Sequence, residues 1–291
     1  MKSVTLPAYA KVNLYLDVLG KRPDGYHELL TLFERVDLAD EVTIELKPGK
    51  QLELECNHPA VPRDGTNLSL RAAETYQQAA GWFQGLRIVL KKRIPVAGGM
   101  GGGSSNAAAT LHGLQMLSGE ALPKEKLFQL ANGLGADVAF LLAQVPWALG
   151  RGRGDQIEPL SLSTRLWHLL IAPGFPIPTK AVYQAFALTA PGPDVRLLED
   201  ALRSSDLPRV RGLLFNALEP TVEALYPAIR HVKATVEKKA GLPRPMVSGS
   251  GSTVFVVCAS QEEAEEGCRA LKKREPRWDL FVASTCPVVQ W

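Results

Sequence analysis

The run Pro95-Val-Ala-Gly-Gly-Met-Gly-Gly-Gly-Ser-Ser-Asn-Ala-Ala-Ala-Thr110 constrains the fold more than any other stretch of the chain. Five glycines between Gly98 and Gly103 each lose backbone entropy on folding and give no side chain to a core. Such a run is retained for its shape. Glycine lets the backbone approach a ligand closely, and a loop that then opens a helix points unpaired N–H groups at one spot, where an anion fits. Ser104 and Ser105 stand at the expected N-cap, and Leu111, Leu114 and Leu117 mark one stripe of the helix that follows.

Two familiar glycine loops do not fit. A P-loop needs Lys directly after the frame that Gly98 and Gly103 would define, and Ser104 stands there. The dinucleotide fingerprint, started at Gly99 and Gly101, puts Ser104 at its third glycine, and no βαβ unit with an acid at the strand end follows. A flexible linker is the bland alternative, but a linker has no reason to open an apolar-striped helix.

At 291 residues the chain has room for two cores, and its 46% apolar and 22% charged content is that of a globular protein. Thirty-three basic and 30 acidic residues leave a net charge of +3, too balanced to mark a nucleic-acid binder. The basic runs Lys91-Lys92-Arg93 and Lys272-Lys273-Arg274 are short, and a solvated role and a phosphate-facing one both stay open for Lys92. Four cysteines without a C-x-x-C spacing suggest idle thiols in a reducing compartment. No segment has the 18 apolar residues of a membrane span, and Pro7, Lys11 and Asn13 break any signal-peptide core, so a cytoplasmic protein is expected.

Strict alternation from Lys11 to Leu19 puts Val12, Leu14, Leu16 and Val18 on one face and Lys11, Asn13, Tyr15 and Asp17 on the other, which is read as polar and exposed. Strands are expected at Leu29–Val36, Glu41–Leu46 and Gln51–Cys56, giving an antiparallel sheet in the first sixty residues. Helices follow from Asn67 and after Pro123, with a strand at Leu86–Lys92 between them. Arg151-Gly-Arg-Gly-Asp155 reads as a flexible break, which places the domain boundary there: 1–152 and 153–291. The second half mixes helices from Thr179, Val195, Leu207, Thr221 and Gln261 with strands at Leu166–Ala172, Met246, Thr253–Val257 and Leu280–Ser284. Strands and then helices make the class α+β.

Asp137 lies in the apolar run Leu134-Gly-Ala-Asp-Val-Ala-Phe-Leu-Leu-Ala, where it reads as a helix N-cap, as a carboxylate that a cation must answer, or as both. Lys11 is the natural cation, although a lysine on a polar strand face commonly meets only water. His27 at a strand start, like His58, His112, His168 and His231, has no metal-ligand spacing. Ser248-Gly-Ser-Gly-Ser252 is a second glycine turn, either a plain hairpin connection or a second set of amides around an anion.

Pro95 to Ala108 resembles the ATP loop of the GHMP kinases. Ala10-Lys-Val-Asn-Leu-Tyr-Leu, Arg22-Pro-Asp-Gly-Tyr-His-Glu-Leu and Leu134-Gly-Ala-Asp-Val sharpen that resemblance toward members acting on a cytidine diphosphate adduct of methylerythritol in isoprenoid precursor synthesis. The likeness runs from Pro7 to Ser252, with little signal between Leu188 and Pro243. It implies a ribosomal-protein-S5-like N-terminal domain that binds ATP, a ferredoxin-like C-terminal domain that binds substrate, and an active site in the cleft between them. It also implies transfer of the γ-phosphoryl group of ATP to the 2-hydroxyl of the methylerythritol unit. Asp137 matches the catalytic base and Lys11 the lysine that orients it and the hydroxyl. Pro95, Val96, Ala97, Gly98, Gly99, Met100, Gly101, Gly102, Gly103, Ser104 and Ser105 match the phosphate loop, with Asn67 and Lys92 near the adenine. Asn13, Tyr26, His27, Thr179 and Tyr183 match substrate contacts, the two tyrosines flanking the cytosine. Mg2+ is implied, with Ser105 a candidate ligand, and the protein is implied to be a monomer or weak homodimer.

The sequence departs from the family at Ala139, where a proline usually fixes the backbone after the base. Two rivals stay open: a homoserine- or mevalonate-type kinase sharing the loop, and a nucleotide-binding regulator without catalysis. The Gly-Tyr-His segment speaks against the first, and retention of both Lys11 and Asp137 against the second.

Overall fold

The structure, a computed structural model, describes residues 2–287. In chain order the elements are β1 (Ser3–Lys21), β2 (His27–Lys47), β3 (Leu52–Cys56), α1 (Leu68–Ala80), β4 (Gly85–Lys91), α2 (Gly102–Ser118), α3 (Lys124–Leu134), α4 (Ala136–Ala143), β5 (Trp147–Gly152), β6 (Gln156–Pro159) and β7 (Trp167–Ala172). There follow α5 (Thr179–Ala185), α6 (Val195–Arg203), α7 (Leu207–Leu213), β8 (Phe215–Asn216), α8 (Glu219–Leu225), α9 (Ala228–Ala240), β9 (Met246–Val247), β10 (Val254–Cys258), α10 (Gln261–Lys272) and β11 (Asp279–Ser284). They fall into two compact units. The first holds the chain up to Ala10, Ala39–Val96 and Gly101–Gln144; the second holds Lys11–Leu38, Ala97–Met100 and the chain from Val145 on.

In the first unit the later half of β2 pairs antiparallel with β4, from Glu41↔Lys91 to Lys47↔Gly85. Strand β3 pairs parallel with β4, with α1 as the crossover, so the expected all-antiparallel arrangement of the first sixty residues does not form. Helix α2 lies against α1 and α4 and buries Leu111 and Leu114 completely. Tyr76 of α1 is fully buried and spends its hydroxyl on Gln115, 2.7 Å away, which keeps a polar tip inside an apolar layer without an unmet bond.

In the second unit four antiparallel strands run in the order β11-β7-β10-β9. Their apolar side chains Leu169, Ile171, Val254 and Val256 meet Val182 of α5, Val222 of α8, Val232 and Val236 of α9 and Leu271 of α10 in one buried cluster. The earlier half of β2 pairs with β5, and β8 pairs parallel with β1 through Tyr15↔Phe215 and Leu16↔Asn216.

Two expectations change here. The segments read as two strands at Leu29–Val36 and Glu41–Leu46 are one continuous strand, β2. The Asp37 to Asp40 stretch between them does not break it, because both carboxylates take neighbouring N–H groups: Asp37 that of Ser284 at 2.8 Å, Asp40 those of Arg93 and Ile94 at 2.7 and 2.9 Å. The Arg151–Asp155 stretch is a tight β5–β6 hairpin closed by Gly154 N–H on the Arg151 carbonyl at 3.0 Å. None of Cys56, Cys258, Cys268 and Cys286 forms a disulfide, and burial pushes the Cys258 thiol pKa up to about 12. Among the described residues no helix is long and apolar enough to cross a membrane.

Candidate active site

Helix α2 begins at Gly102, two residues before the serines expected to cap it. Its N-cap is Gly101, left-handed at φ 69°, with no side-chain cap, so Ser104 and Ser105 sit inside the first turn. The reason lies in Ser105: its amide donates to the Gly101 carbonyl at 2.8 Å and its hydroxyl to the Tyr9 carbonyl at 2.7 Å. A glycine start without a capping oxygen leaves the positive end of the helix dipole open to an anion.

Behind the loop, in the first unit, Lys92, Asp40 and Asn106 form a buried polar knot. The Lys92 ammonium pairs with Asp40 and donates to Asn106 Oδ1 at 3.0 Å, while Asn106 Nδ2 donates to Asp40 at 2.9 Å. Asp40 is fully buried and the Lys92 side chain 4% exposed, so this lysine is committed to the protein, not to solvent. A Cβ on Gly102 would lie 3.1 Å from both Lys92 Nζ and Ile94 Cγ2, so the knot forms the floor under the helix start. Asn67 caps α1, taking the Ser69 amide at 2.9 Å and donating to the Pro62 carbonyl at 2.7 Å, and the next residue, Leu68, faces Gly103. Pro95 and Val96 are half-buried.

Ala97, Gly98, Gly99 and Met100 belong to the second unit, where they meet the second glycine turn. Thr253 N–H donates to the Gly98 carbonyl at 3.0 Å, Ser248 Oγ donates to the Gly99 carbonyl at 3.1 Å, and Lys11 N–H reaches the Met100 carbonyl at 3.1 Å. Gly99 has φ +78°, and a Cβ there would collide with the Ser248 carbonyl and stand 2.8 Å from that of Gly251. The Ser248–Ser252 turn joins β9 to β10, so the hairpin reading holds, and it also packs on the phosphate-loop segment.

Lys11 and Asn13 do share a face, with Lys11 Nζ donating to Asn13 Oδ1 at 2.6 Å. That face is not exposed: Lys11 is 4% and Asn13 3% accessible, because a second layer of the unit covers the polar side of β1. Asn13 Nδ2 donates to Thr31 Oγ1 at 2.8 Å, Thr31 donates to the Tyr15 carbonyl at 2.7 Å, and Phe33 presents its ring 5.8 Å from the ammonium. A lysine buried beside an amide oxygen and an aromatic face attracts a negative group strongly.

A third group gathers aromatic rings. His27 stacks tilted on Tyr183 with centroids 5.2 Å apart and meets Phe186 edge-on at 6.2 Å. Tyr26, 57% exposed, carries the Arg153 guanidinium 5.1 Å from its ring centre, and Asp155 holds that guanidinium at 2.7 and 2.9 Å. Burial, helped by the charge on Lys21, lowers the His27 pKa, so the ring is neutral near pH 7. Thr179, at the start of α5, hydrogen-bonds Ser250 of the glycine turn at 2.8 Å.

Asp137 is half-buried in the first turn of α4, whose N-cap is Gly135. The capping reading therefore does not apply, and the carboxylate lies where a helix dipole favours negative charge. Ala139 is fully buried inside the same helix.

Residues 67–144 match the family described as GHMP kinases N terminal domain, and residues 198–277 that described as GHMP kinases C terminal. The chain belongs to the GHMP kinase family. This GHMP kinase is 38% identical to 4-diphosphocytidyl-2-C-methyl-D-erythritol kinase of Gloeobacter violaceus, over 98% of the chain and 95% of the relative. It is also 38% identical to the protein of that name from Geobacter metallireducens, over 99% and 100%. A crystal structure of 4-(cytidine 5'-diphospho)-2C-methyl-D-erythritol kinase superposes with a TM-score of 0.80 at 36% identity, covering 98% of this chain and 100% of that one. Two domains of the GHMP fold and the use of ATP follow from membership.

Sequence reasoning missed three residues of this GHMP kinase's candidate site. Asp40 read as a turn residue, Arg153 as part of a break and Phe186 not at all. Arg153 left a usable trace, an acid two residues on that can brace a guanidinium over the nearby tyrosine.

Proposed function

We infer that this protein is an ATP-dependent kinase that phosphorylates 4-diphosphocytidyl-2-C-methyl-D-erythritol on its 2-hydroxyl, in isoprenoid precursor synthesis by the non-mevalonate route. The observation that carries this is the 38% identity, over nearly the whole of both chains, to kinases of that name. The ring group of His27, Tyr183 and Phe186, with Tyr26 beside His27 in sequence, supports it, because a homoserine or mevalonate substrate has no base to stack there.

In this reading the substrate hydroxyl oxygen attacks the γ-phosphorus, the bond to the β–γ bridging oxygen breaks, and ADP leaves with that oxygen. Asp137 accepts the hydroxyl proton, and Lys11 orients base and hydroxyl and offsets charge on the transferring group. Pro95 to Ser105 surround the phosphates, with Gly101 to Ser104 presenting the uncapped amides. Asn67 and Lys92 border the adenine, Lys92 by holding the loop's floor in place. Neutral His27 hydrogen-bonds the cytosine edge between Tyr26 and Tyr183, and Asn13 and Thr179 contact the substrate.

Among the described residues no group of three or more His, Cys, Asp or Glu side chains is arranged to hold a metal ion. That donor set suits Mg2+ carried mainly by the nucleotide's own phosphates, where it neutralises their charge. Ser105 keeps its oxygen lone pairs for the ion while its proton serves Tyr9. Residues 1–152 act as the ATP-binding and catalytic domain and 153–291 as the substrate domain of a cytoplasmic monomer or weak homodimer, with neither nucleic acid nor membrane as partner. The test is ADP release with Mg-ATP against the cytidine substrate, homoserine, mevalonate and galactose. Turnover of the cytidine compound alone is expected; preferred turnover of another member overturns the substrate, and silence on all four overturns the enzyme.

A further inference from the structure

Asn216 lies in the stretch between Leu188 and Pro243, where the sequence carries little signal, yet it joins three parts of the candidate site within the second unit. Its backbone belongs to β8, which pairs with the strand carrying Lys11: Leu16 is its register partner, and Ala217 N–H donates to the Leu16 carbonyl at 2.8 Å. Its side chain, 4% exposed, turns the other way. Nδ2 donates to the carbonyls of Val247 and Gly249, 2.8 Å each, and Oδ1 accepts the Leu218 amide at 3.0 Å. Both donor hydrogens and one acceptor site of the amide group are directed at backbone, two of these three bonds on the second glycine turn and the strand leading to it.

What lies beyond that turn gives the grip its meaning. A Cβ added at Gly249 would meet Asn13 Oδ1 at 3.3 Å and Lys11 Nζ at 3.5 Å, so the turn's backbone is the wall against which that pair rests. Through Ser248 and Thr253 the same turn holds the Gly98 and Gly99 carbonyls. Three residues after Asn216, Glu219 takes the Val247 amide at 2.8 Å and is itself held by Lys233 at 3.1 Å, a second hold on the same short strand. The turn closes on itself through Ser248 N–H on the Thr253 carbonyl and Gly251 N–H on the Ser248 carbonyl, 2.9 Å each, so what Asn216 adds is a hold on where the closed turn sits.

We propose that Asn216 is a positioning residue for phosphoryl transfer, holding the Ser248–Ser252 turn where it seats the Lys11–Asn13 pair and the Gly98–Gly99 segment. The proposal rests on the kinase reading above. It differs from a purely structural role in predicting an unequal loss: the turn seats Lys11, so kcat suffers most, while KM rises less, through Asn13 and through the Thr179–Ser250 bond that ties α5 to the turn.

The test compares Asn216→Ala and Asn216→Ser with Val236→Ala, a core truncation in α9 outside the site. Each protein is read by melting temperature, by kcat and KM, and by amide hydrogen exchange over 97–100 and 248–252. Expected for Asn216→Ala is a kcat lower by about 30-fold with KM for the cytidine substrate raised by no more than about fivefold, and faster exchange in both segments. Asn216→Ser, which keeps one donor, should fall between, and it carries the test if the alanine variant does not fold. Val236→Ala should lower the melting temperature with kcat within about twofold of the parent. A kcat within about twofold for a folded Asn216 variant, or a kcat loss in Val236→Ala matching that of Asn216→Ala at equal melting temperature, overturns the proposal. Should the parent protein itself turn over no cytidine substrate, the kinase reading fails, and unchanged exchange over 248–252 in Asn216→Ala would separately remove the hold.

Discussion

The Lys11 ammonium illustrates how one residue's chemistry is set by what covers it. Period-2 alternation correctly puts Lys11 and Asn13 on one side of β1, and they bond at 2.6 Å. Alternation records only which side a residue faces, and because a second layer lies over that side the lysine is buried, where its charge weighs more than it would in water. With Asp137 as proton acceptor, Asp137→Asn should lower kcat by about a thousandfold while leaving ATP affinity within about twofold, because the carboxylate meets the hydroxyl proton and not the nucleotide. Single-turnover phosphoryl transfer beside equilibrium ATP titration checks this, and near-normal transfer would remove Asp137 from the chemistry. His27 makes a separate prediction. Burial and Lys21 lower its pKa below the ordinary 6.5, so protonation begins only as the pH falls beneath that value. KM for the cytidine substrate should therefore stay flat from about pH 8 to about pH 6.5 and rise below it, since a protonated ring loses its acceptor nitrogen. A KM that climbs already above pH 6.5 would contradict the neutral-ring assignment, as would the same profile in His27→Phe.

At the scale of elements, the glycine loop is the most legible part of the sequence, and yet the helix cap lies at Gly101, three residues before the first serine expected to supply it. Serine at a helix start ordinarily caps, but here Ser105 is bound to Tyr9 and Gly101, and glycine takes the cap. Which of several candidates wins a cap depends on partners distant in sequence, and local pattern does not contain them. The same holds for β2, continuous because Asp37 and Asp40 bond Ser284, Arg93 and Ile94, residues more than fifty positions away. The helices after Asn67 and Pro123, the strand ending at Lys91 and the helix from Gln261 were all readable, since their stripes and caps are local. Gly99 tests the loop as an element. Its φ of +78° and the carbonyls of Ser248 and Gly251 leave no place for a methyl group. Gly99→Ala should cost about 1–3 kcal/mol in urea unfolding and raise KM for ATP, because the turn must retreat and carry Ser248 with it. Gly119→Ala is a fit control: it shares the left-handed φ but has open space around its Cβ, so it should show the strain cost and leave KM for ATP unchanged.

For the molecule as a whole, stability and catalysis rest on different residues, and the chain's C-terminal end shows where they part. In the second unit Glu34 and His168 are both fully buried, with Oε2 and Nε2 2.9 Å apart, although the ring N–H is not aimed along that line. The other Glu34 oxygen accepts the Thr285 hydroxyl at 2.6 Å, and Thr285 Oγ1 in turn accepts the Leu166 amide at 2.8 Å. Ser284 adds its amide and hydroxyl to Asp37, and Cys286 its amide to the Arg35 carbonyl at 2.7 Å. Residues about 250 positions apart thus close this unit, and no periodicity in the sequence could announce it. Thr285→Val keeps the shape and removes the hydroxyl, leaving a buried carboxylate oxygen and the Leu166 N–H without that partner. The expected loss is about 2–4 kcal/mol of unfolding free energy, since an unmet buried group costs its full desolvation. At about 25 °C kcat should stay within about twofold of the parent, because none of the groups assigned to the transfer bonds to Thr285. Urea unfolding followed by tryptophan fluorescence, with kcat measured below the transition, reads both quantities. An unshifted midpoint would mean that water or a rearranged Glu34 replaces the hydroxyl at no cost. A fall in kcat well below the melt would mean that the closure of this unit also sets the geometry of the Lys11 strand, whose Asn13 bonds Thr31 of β2.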